Sequence, residues 1–178
     1  MSEKNVERVG EQSVYSGRRI SLSIVRYRKN GRIYDKEVVR HPGAVVILPI
    51  VHGEVILERQ YRPAIDEWIL ELPAGTLESG ETPEACARRE LLEETGYFAD
   101  TLVHLGSFYA SPGYSDELLH AFLAENPVYR GRAPEEYEAI EIVRVPLSVF
   151  EKWIEEGKVR DAKTLAAYAL YISREKRK

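Results

Sequence analysis

The chain of 178 residues contains a single cysteine, so an intramolecular disulfide is excluded. It also lacks a long apolar run: the longest, 44–51, is interrupted by Pro49 and is much shorter than the roughly 20 residues that span a bilayer. The first ten residues, MSEKNVERVG, contain no apolar stretch of the kind found in a signal peptide. These absences predict a cytoplasmic protein without a membrane segment.

An excess of positive charge is missing as well. The formal net charge is −4, from 25 Lys and Arg against 29 Asp and Glu, whereas proteins that bind nucleic-acid backbones are basic as a rule. We therefore expect no nucleic-acid partner. A hydrophobic fraction of 44% is enough for a folded core, and the length suits one domain with a short appendage. The predicted division is a strand and hairpin region, 1–42, followed by the main domain, 43–178.

Turn residues and apolar alternation predict strands in the first half of the chain. Segments 19–28 and 32–39 flank Asn30-Gly31, a pair that tolerates the positive φ angles of a type I′ hairpin turn. A second hairpin is expected around His52-Gly53. Later strands are predicted near 102–109, 118–124 and 139–145, and later helices over 147–156 and 162–174. This mixture favours an α+β fold or a mixed-sheet sandwich over repeating βαβ units.

A further helix is predicted from Pro83, capped by Thr82, to about residue 95. At about 100° per residue, Glu90, Glu93 and Glu94 share one narrow face of it. Apolar side chains on both sides predict two buried flanks, with the acidic face open to a cleft. Clustered carboxylates repel one another unless a cation lies among them, and Mg²⁺ binds such oxygens. The alternative is a solvated acidic face that neighbouring arginines neutralise.

The spacing around this helix is highly specific: Gly75, five residues, Glu81, seven residues, Arg89-Glu90-Leu91, one residue, Glu93-Glu94, one residue, Gly96. With Leu91 left out, chance agreement at the seven fixed positions is on the order of one in 10⁸. The pattern resembles the signature of the Nudix hydrolase superfamily, with Tyr97 in place of the usual aliphatic residue. The resemblance implies a Nudix-type α/β/α sandwich with a mixed sheet, plus an N-terminal antiparallel β-hairpin region.

The resemblance also implies a metal site. Glu90 and Glu94 would bind Mg²⁺ together with the main-chain carbonyl of Ala74, with two or three ions in the site and Mn²⁺ as a substitute. Glu93 would be oriented by Arg89 or would reach the metal through water. The remaining motif residues would have structural roles: Glu81 would hold the loop, whereas Gly75 and Gly96 would serve a tight turn and the helix end.

A general base must still accept the proton of the attacking water, and carboxylates occupied by metal are poorly suited to this. The acidic segment 134–138 precedes a predicted strand, and its alternative interpretation is a solvated turn. In the ADP-ribose pyrophosphatases of the superfamily, a glutamate from this loop is the base. The resemblance therefore implies Glu136 as the base, with Glu138 as the second candidate or as an extra metal ligand.

Other segments are similar to the ADP-ribose subgroup of that superfamily. Pro112 stands fifteen residues beyond Tyr97, as in the subgroup, although a Ser-Pro-Gly turn would also explain it. The resemblance implies substrate contacts from Arg62, from Glu117 near the terminal ribose, and from Arg18 or Arg19. It further implies a homodimer formed through the N-terminal hairpin.

The function that follows is Mg²⁺-dependent hydrolysis of the pyrophosphate bond of ADP-ribose to AMP and ribose 5-phosphate. An alternative is the same chemistry on a sugar nucleotide, on NADH or FAD, or on a diadenosine polyphosphate. A remote alternative is a non-catalytic sensor of ADP-ribose. The four histidines have no spacing typical of metal ligands, and Cys86 is expected to be a small buried residue.

Overall fold

The computed structural model describes residues 6–132 and 139–177, which belong to two compact units. The first unit contains the described residues up to Gly43 together with Tyr109–Leu118. The second unit contains Ala44–Phe108 and the described residues from Leu119 onward. Within the described ranges, no helix has the length and apolar character needed to cross a membrane.

The first unit contains a three-stranded antiparallel sheet in the order β1 (Val6–Ser16), β2 (Ser21–Lys29), β3 (Arg32–Arg40). The predicted hairpin between β2 and β3 is confirmed, with φ angles of 49° at Asn30 and 76° at Gly31. The sequence did not predict β1. Its apolar residues do not alternate, and nearly all of its length is exposed, so it lacks the pattern of a half-buried strand.

Residues 109–118 join this unit through β3. The Val39 amide donates to the Tyr114 carbonyl at 2.8 Å, and the Asp116 amide donates to the Val39 carbonyl at 3.2 Å. The Arg40 guanidinium also donates to the Asp116 carboxylate at 2.7 Å. The segment is thus held by both main-chain and side-chain hydrogen bonds.

The second unit contains most of the regular structure. Its elements along the chain are β4 (Ala44–Val51), β5 (Glu54–Arg62), β6 (Glu67–Glu71), β7 (Ala74–Thr76), α1 (Pro83–Thr95), β8 (Tyr97–Phe98), β9 (Val103–Tyr109), β10 (Leu118–Glu125), β11 (Val128–Tyr129), β12 (Ile140–Pro146), α2 (Leu147–Glu155) and α3 (Ala162–Glu175). Seven strands form one sheet in the order β12-β5-β4-β10-β9, with β6 beside β5 and β7 beside β4. Because β4 and β10 are parallel whereas β4 and β5 are antiparallel, the predicted mixed sheet is confirmed.

The hairpin of β4 and β5 opens beyond its first pairs, Ile50 with Val55 and Val51 with Glu54. Farther along, β7 pairs with β4 and β6 pairs with β5. The segment that precedes α1 is therefore inserted into the middle of the sheet. The sequence did not predict β6 and β7, because each is short and their positions depend on pairing with distant residues.

Helices pack on both faces of this sheet, as the sandwich prediction required. On one face, Val46 belongs to an apolar cluster with Phe150 of α2 and Ala167 of α3. On the other face, Val45 belongs to a cluster with Leu91 of α1. Strand β4 is therefore buried on both sides, which explains why its sequence is a continuous apolar run instead of an alternating one.

Helix α1 begins and ends as the sequence predicts. The Thr82 hydroxyl accepts a hydrogen bond from the Ala85 amide at 3.3 Å, and Pro83 occupies the first helical position. Gly96 closes the helix with φ 78°, and its amide donates to the Leu92 carbonyl at 2.8 Å. Both ends of the acidic helix are thus fixed by local residues.

Candidate active site

The acidic face of helix α1 is only partly buried, because the Glu93 side chain is 39% exposed. Glu94 is only 3% exposed, and the Glu90 side chain is 13% exposed. The predicted flank of Ala87 and Leu91 is buried, whereas on the other flank Ala85 is exposed and Leu92 is half-buried. Hydrogen-bond donors compensate for the burial of Glu90 and Glu94.

Gly75 of β7 lies directly against Glu90. A β-carbon at position 75 would stand 1.8 Å from Cδ and 1.8 Å from Oε1 of Glu90. Gly75 is part of a strand and is not among the glycines with positive φ, so the predicted tight turn at this position was wrong. The requirement for glycine is steric, because the carboxylate occupies the space of a side chain.

Ala74 provides a second contact between β7 and α1. Its amide donates a hydrogen bond to Oε2 of Glu94 at 3.0 Å. This donor explains how a carboxylate with 3% exposure can stay inside the fold, since a buried charge needs hydrogen-bond partners. Strand β7 therefore places the main chain of Ala74 beside Glu94 and the α-carbon of Gly75 beside Glu90.

Arg89 joins three further carboxylates in one network. Its Nε and Nη2 donate to the two oxygens of Glu81 at 3.0 and 2.9 Å. Its Nη1 donates to Oε1 of Glu90 at 2.7 Å and to Oε2 of Glu93 at 3.2 Å. The hydrogen bonds to Glu81 chiefly raise the Arg89 pKa above its ordinary value, so the guanidinium stays charged and offsets part of the negative charge here.

Glu81 binds Arg89 and also stabilises the turn before α1. Its Oε2 accepts a hydrogen bond from the Glu78 amide at 3.1 Å, and the Glu81 amide donates to the Glu78 carbonyl at 3.1 Å. Hydrogen bonds from Arg89 are the main cause that lowers the pKa of Glu81 to about 2, against the opposing effect of burial. The carboxylate is therefore ionised across the neutral range.

Cys86 lies beneath this network and is fully buried. Its Sγ is 3.6 Å from the Thr76 carbonyl oxygen and 3.4 Å from Nη2 of Arg89. Burial is the main cause that raises the Cys86 pKa above its ordinary value, so the thiol stays protonated. This agrees with the expected role as a small buried residue, since the thiolate is the nucleophilic form.

Arg62 belongs to a buried ionic cluster that the sequence did not predict. Its Nε and Nη2 each donate to Glu71 at 2.6 Å, and the Lys163 ammonium also pairs with Glu71, which is 1% exposed. Burial opposes the charge on Arg62, but Glu71 outweighs it and raises the Arg62 pKa, with a further contribution from the field of Glu94. The Arg62 side chain stays 37% exposed, so part of it is accessible to an anion.

The C-terminal end of α1 is held by the segment around β11. The Arg130 amide donates to the Gly96 carbonyl at 2.8 Å, and the Arg132 guanidinium donates to the carbonyl of Glu94. A β-carbon on Gly96 would stand 2.6 Å from the Tyr129 ring. Gly96 is therefore required by its positive φ and by this close approach. No motif in the sequence marks Arg132.

The family model of the NUDIX domain matches residues 39–168, which is most of the chain. The chain belongs to the NUDIX domain family. It is accordingly a Nudix hydrolase, and hydrolases of this family generally need a divalent metal ion. The sequence motif, 75–97, lies within the matched range and includes the turn at Glu81 and helix α1.

Similar proteins differ in the activities that their names state. An ADP-ribose pyrophosphatase of Bacillus subtilis (strain 168) is 41% identical over 91% of this chain and 89% of its own length. A GDP-mannose pyrophosphatase of Cronobacter sakazakii is 37% identical over 74% of this chain and 78% of its own. A crystal structure of an ADP compounds hydrolase superposes with a TM-score of 0.83 at 25% identity, over 98% of this chain and 95% of that one.

The residues present fit a hard divalent cation. Within the described ranges, no three His, Cys, Asp or Glu side chains gather in a metal-binding arrangement. Glu90 and Glu94 with the main chain of Ala74 instead match the habit of Mg²⁺, which takes one or two carboxylates and keeps water and substrate phosphates as other ligands. Such a cation would offset the charge of a diphosphate and polarise a phosphoryl oxygen.

The other predicted substrate residues of this Nudix chain belong to the first unit. Pro112 is exposed in a turn, and the carboxylate of Glu117 lies 3.9 Å from Nδ1 of His41. Arg18 and Arg19 are exposed in the connection between β1 and β2. Their roles stay predictions. The two candidates for the base, Glu136 and Glu138, lie outside the described residues.

Proposed function

We propose that this Nudix hydrolase cleaves the pyrophosphate bond of ADP-ribose and releases AMP and ribose 5-phosphate. The observation that carries the chemistry is the contact of β7 with α1, in which Gly75 accommodates Glu90 and the Ala74 amide binds Glu94. The choice of substrate is supported by the 41% identity to an ADP-ribose pyrophosphatase over 91% of this chain.

The metal in this proposal is Mg²⁺, with two or three ions per site and Mn²⁺ as a substitute. Glu90, Glu94 and the Ala74 carbonyl are the proposed ligands. Arg89 pairs with Glu81, Glu90 and Glu93 and so neutralises part of the acidic charge. The same pairs hold Glu90 and Glu93 in position while the cation is absent. The local charge thereby stays compatible with folding and still favours a cation.

In the proposed reaction, the oxygen of water forms a bond to one phosphorus, and the bond from that phosphorus to the bridging oxygen breaks. The proton of the water passes to Glu136, with Glu138 as the alternative base or an extra metal ligand. Arg62 contributes a fixed positive charge to the adenine or phosphate end of the substrate. Its bidentate pairing with Glu71 keeps the guanidinium oriented before substrate binds.

The proposed division of the chain is an N-terminal region, 1–42, and a Nudix domain, 43–178, and the N-terminal region is proposed to mediate a cytoplasmic homodimer. Its support is a set of exposed apolar side chains on the three-stranded sheet: Val6, Val14, Tyr15, Ile33 and Tyr34. Pro112, Glu117 and either Arg18 or Arg19 are the proposed substrate contacts of the first unit. Light scattering of the purified protein that gives a monomer mass would contradict the dimer.

A second candidate is a sugar nucleotide such as GDP-mannose, because a GDP-mannose pyrophosphatase is 37% identical over 74% of this chain. The metal site would be unchanged, and only the contacts to the base and sugar would differ. Hydrolysis of NADH, FAD or diadenosine polyphosphates would keep the same chemistry as well. A sensor of ADP-ribose is disfavoured because all motif carboxylates are present.

The test is the release of nucleoside monophosphate from ADP-ribose, ADP-glucose, GDP-mannose, NADH, FAD and diadenosine polyphosphates, with Mg²⁺ and with EDTA. We expect metal-dependent turnover with the highest kcat/KM for ADP-ribose. A clear preference for GDP-mannose would replace the substrate and keep the metal site. Binding of ADP-ribose without turnover of any compound would favour the sensor.

A further inference from the structure

The last turn of α1 accepts a hydrogen bond from a cationic side chain outside the helix. All residues of α1 are described, and its last turn contains no basic side chain. The final carbonyls of a helix have no partner within the helix. In α1, the Gly96 amide donates a hydrogen bond to the Leu92 carbonyl. The Glu94 carbonyl accepts a charge-assisted hydrogen bond from Nε of Arg132. This contact lies at the C-terminal end of the helix, which favours positive charge.

Arg132 makes a second main-chain contact at the same time. Its Nη2 donates to the carbonyl of Ile140 at 3.1 Å. Ile140 is the first residue of β12 and is paired with Gln60 of β5 in the central sheet. One guanidinium therefore ties the end of the catalytic helix to a strand of the sheet.

These contacts hold Glu94 at two ends. Its carboxylate accepts from the amide of Ala74, whereas its main-chain carbonyl accepts from Arg132. Because the residue is 3% exposed and confined between β7 and the segment after β11, a shift of its main chain would move the carboxylate. Precise placement of ligands governs metal affinity, and groups that support ligands are known to change it strongly.

We propose that Arg132 is a positioning residue for Glu94. By holding Glu94 in place, Arg132 sets the affinity of the site for its divalent cation without contacting substrate. This inference rests on the proposed function only in taking Glu94 as a metal ligand. The planar guanidinium reaches two carbonyls in different directions, which a lysine ammonium on one flexible stem does not reproduce.

Arg88 is a matched control on the same helix. Its guanidinium also donates to two main-chain carbonyls, those of Ala99 at 3.2 Å and Asp100 at 2.8 Å. None of these contacts involves a motif carboxylate. Arg88→Ala therefore removes a similar set of hydrogen bonds from the fold and leaves the support of Glu94 in place.

The experiment titrates Mg²⁺ in ADP-ribose turnover for the wild type, Arg132→Ala, Arg132→Lys and Arg88→Ala, with Tm measured alongside. For Arg132→Ala we expect half-maximal activity at roughly 10–100-fold higher Mg²⁺, with little change in KM at saturating metal. Arg132→Lys should be intermediate, and low concentrations of guanidinium ion should restore part of the activity of Arg132→Ala. Guanidinium destabilises folded proteins, so rescue would separate positioning from stability.

A metal requirement of Arg132→Ala equal to that of Arg88→Ala, with only a lower Tm, would overturn the proposal. If Arg132→Ala does not fold, an unshifted Mg²⁺ requirement of Arg132→Lys has the same meaning. Failure of the wild type to cleave ADP-ribose would reject the proposed substrate instead. Mn²⁺ binding to the free protein, followed by electron paramagnetic resonance, would then decide the role of Arg132 without any substrate.

Discussion

The carboxylate of Glu90 lies against the α-carbon of Gly75, where a β-carbon would stand 1.8 Å from its Cδ. The glycine at the start of the Nudix motif thus leaves room for a carboxylate that lies fifteen residues later in the chain. Because β7 pairs with β4 of the central sheet, this contact connects the sheet directly to the acidic face of α1.

Gly75→Ala should displace the Glu90 carboxylate and weaken catalysis. A misplacement of about 1 Å in an active site can cost about 10²-fold in rate, and we expect a loss of that order in kcat/KM. Steady-state turnover with a Mg²⁺ titration measures it. Gly10→Ala is the control, because a β-carbon at Gly10 meets no atom within 4 Å and should leave the rate unchanged. Equal rates for both variants would reject the steric account.

Glu81→Gln should lower the free energy of unfolding by about 1–3 kcal/mol at pH 7, since a hydrogen-bonded charge pair is lost. The Glu81 pKa is about 2 in the fold, against its ordinary value of 4.5. Its contribution is therefore complete above about pH 4.5 and disappears as the pH falls through about 2. Denaturant unfolding across this range should show the difference from the wild type shrinking toward low pH. A difference that is constant with pH would contradict the Glu81–Arg89 pairing.

Glu71→Gln should destabilise the fold by about 3–5 kcal/mol, because Arg62 and Lys163 lose a partner that is 1% exposed. Glu84→Gln removes an exposed pair with Arg88 and should cost about 0–1 kcal/mol. Chemical denaturation of both variants provides the comparison. If Arg62 binds substrate, Glu71→Gln should also raise KM, whereas Glu84→Gln should not.

Glu136→Gln should lower kcat far more than it lowers the affinity for Mg²⁺, because the proposed base accepts a proton and does not hold the metal. The pH dependence of kcat should lose its acidic limb in this variant. Glu138→Gln is the paired control from the same segment. A larger loss of kcat in Glu138→Gln would transfer the role of base to that residue.

The parts of the fold that the sequence predicted well are those with local signals. Helix α1 has a capping threonine, a proline at its first position and a closing glycine, and the hairpin at Asn30-Gly31 has its own turn signature. The metal motif was found because its seven positions lie within 22 residues and their spacing is strict.

The remaining features depend on contacts between distant positions. Arg132 lies 38 residues from Glu94 in the sequence, and Lys163 lies 92 residues from Glu71, so no local sequence pattern predicts either contact. The burial of Glu94 could not be predicted from helical periodicity either. It depends on the amide of Ala74, a donor that belongs to an unpredicted strand of three residues.

Whether Glu94 binds the metal is tested by comparing ADP-ribose turnover of the wild type and Glu94→Gln over a full range of Mg²⁺ concentrations. Glutamine keeps the size of the side chain and an oxygen that can accept from the Ala74 amide, so circular dichroism should show an intact fold. We expect metal-dependent release of AMP by the wild type and no turnover by Glu94→Gln at any Mg²⁺ concentration. Wild-type rates in the folded variant would contradict the assignment of the metal site to this face of α1.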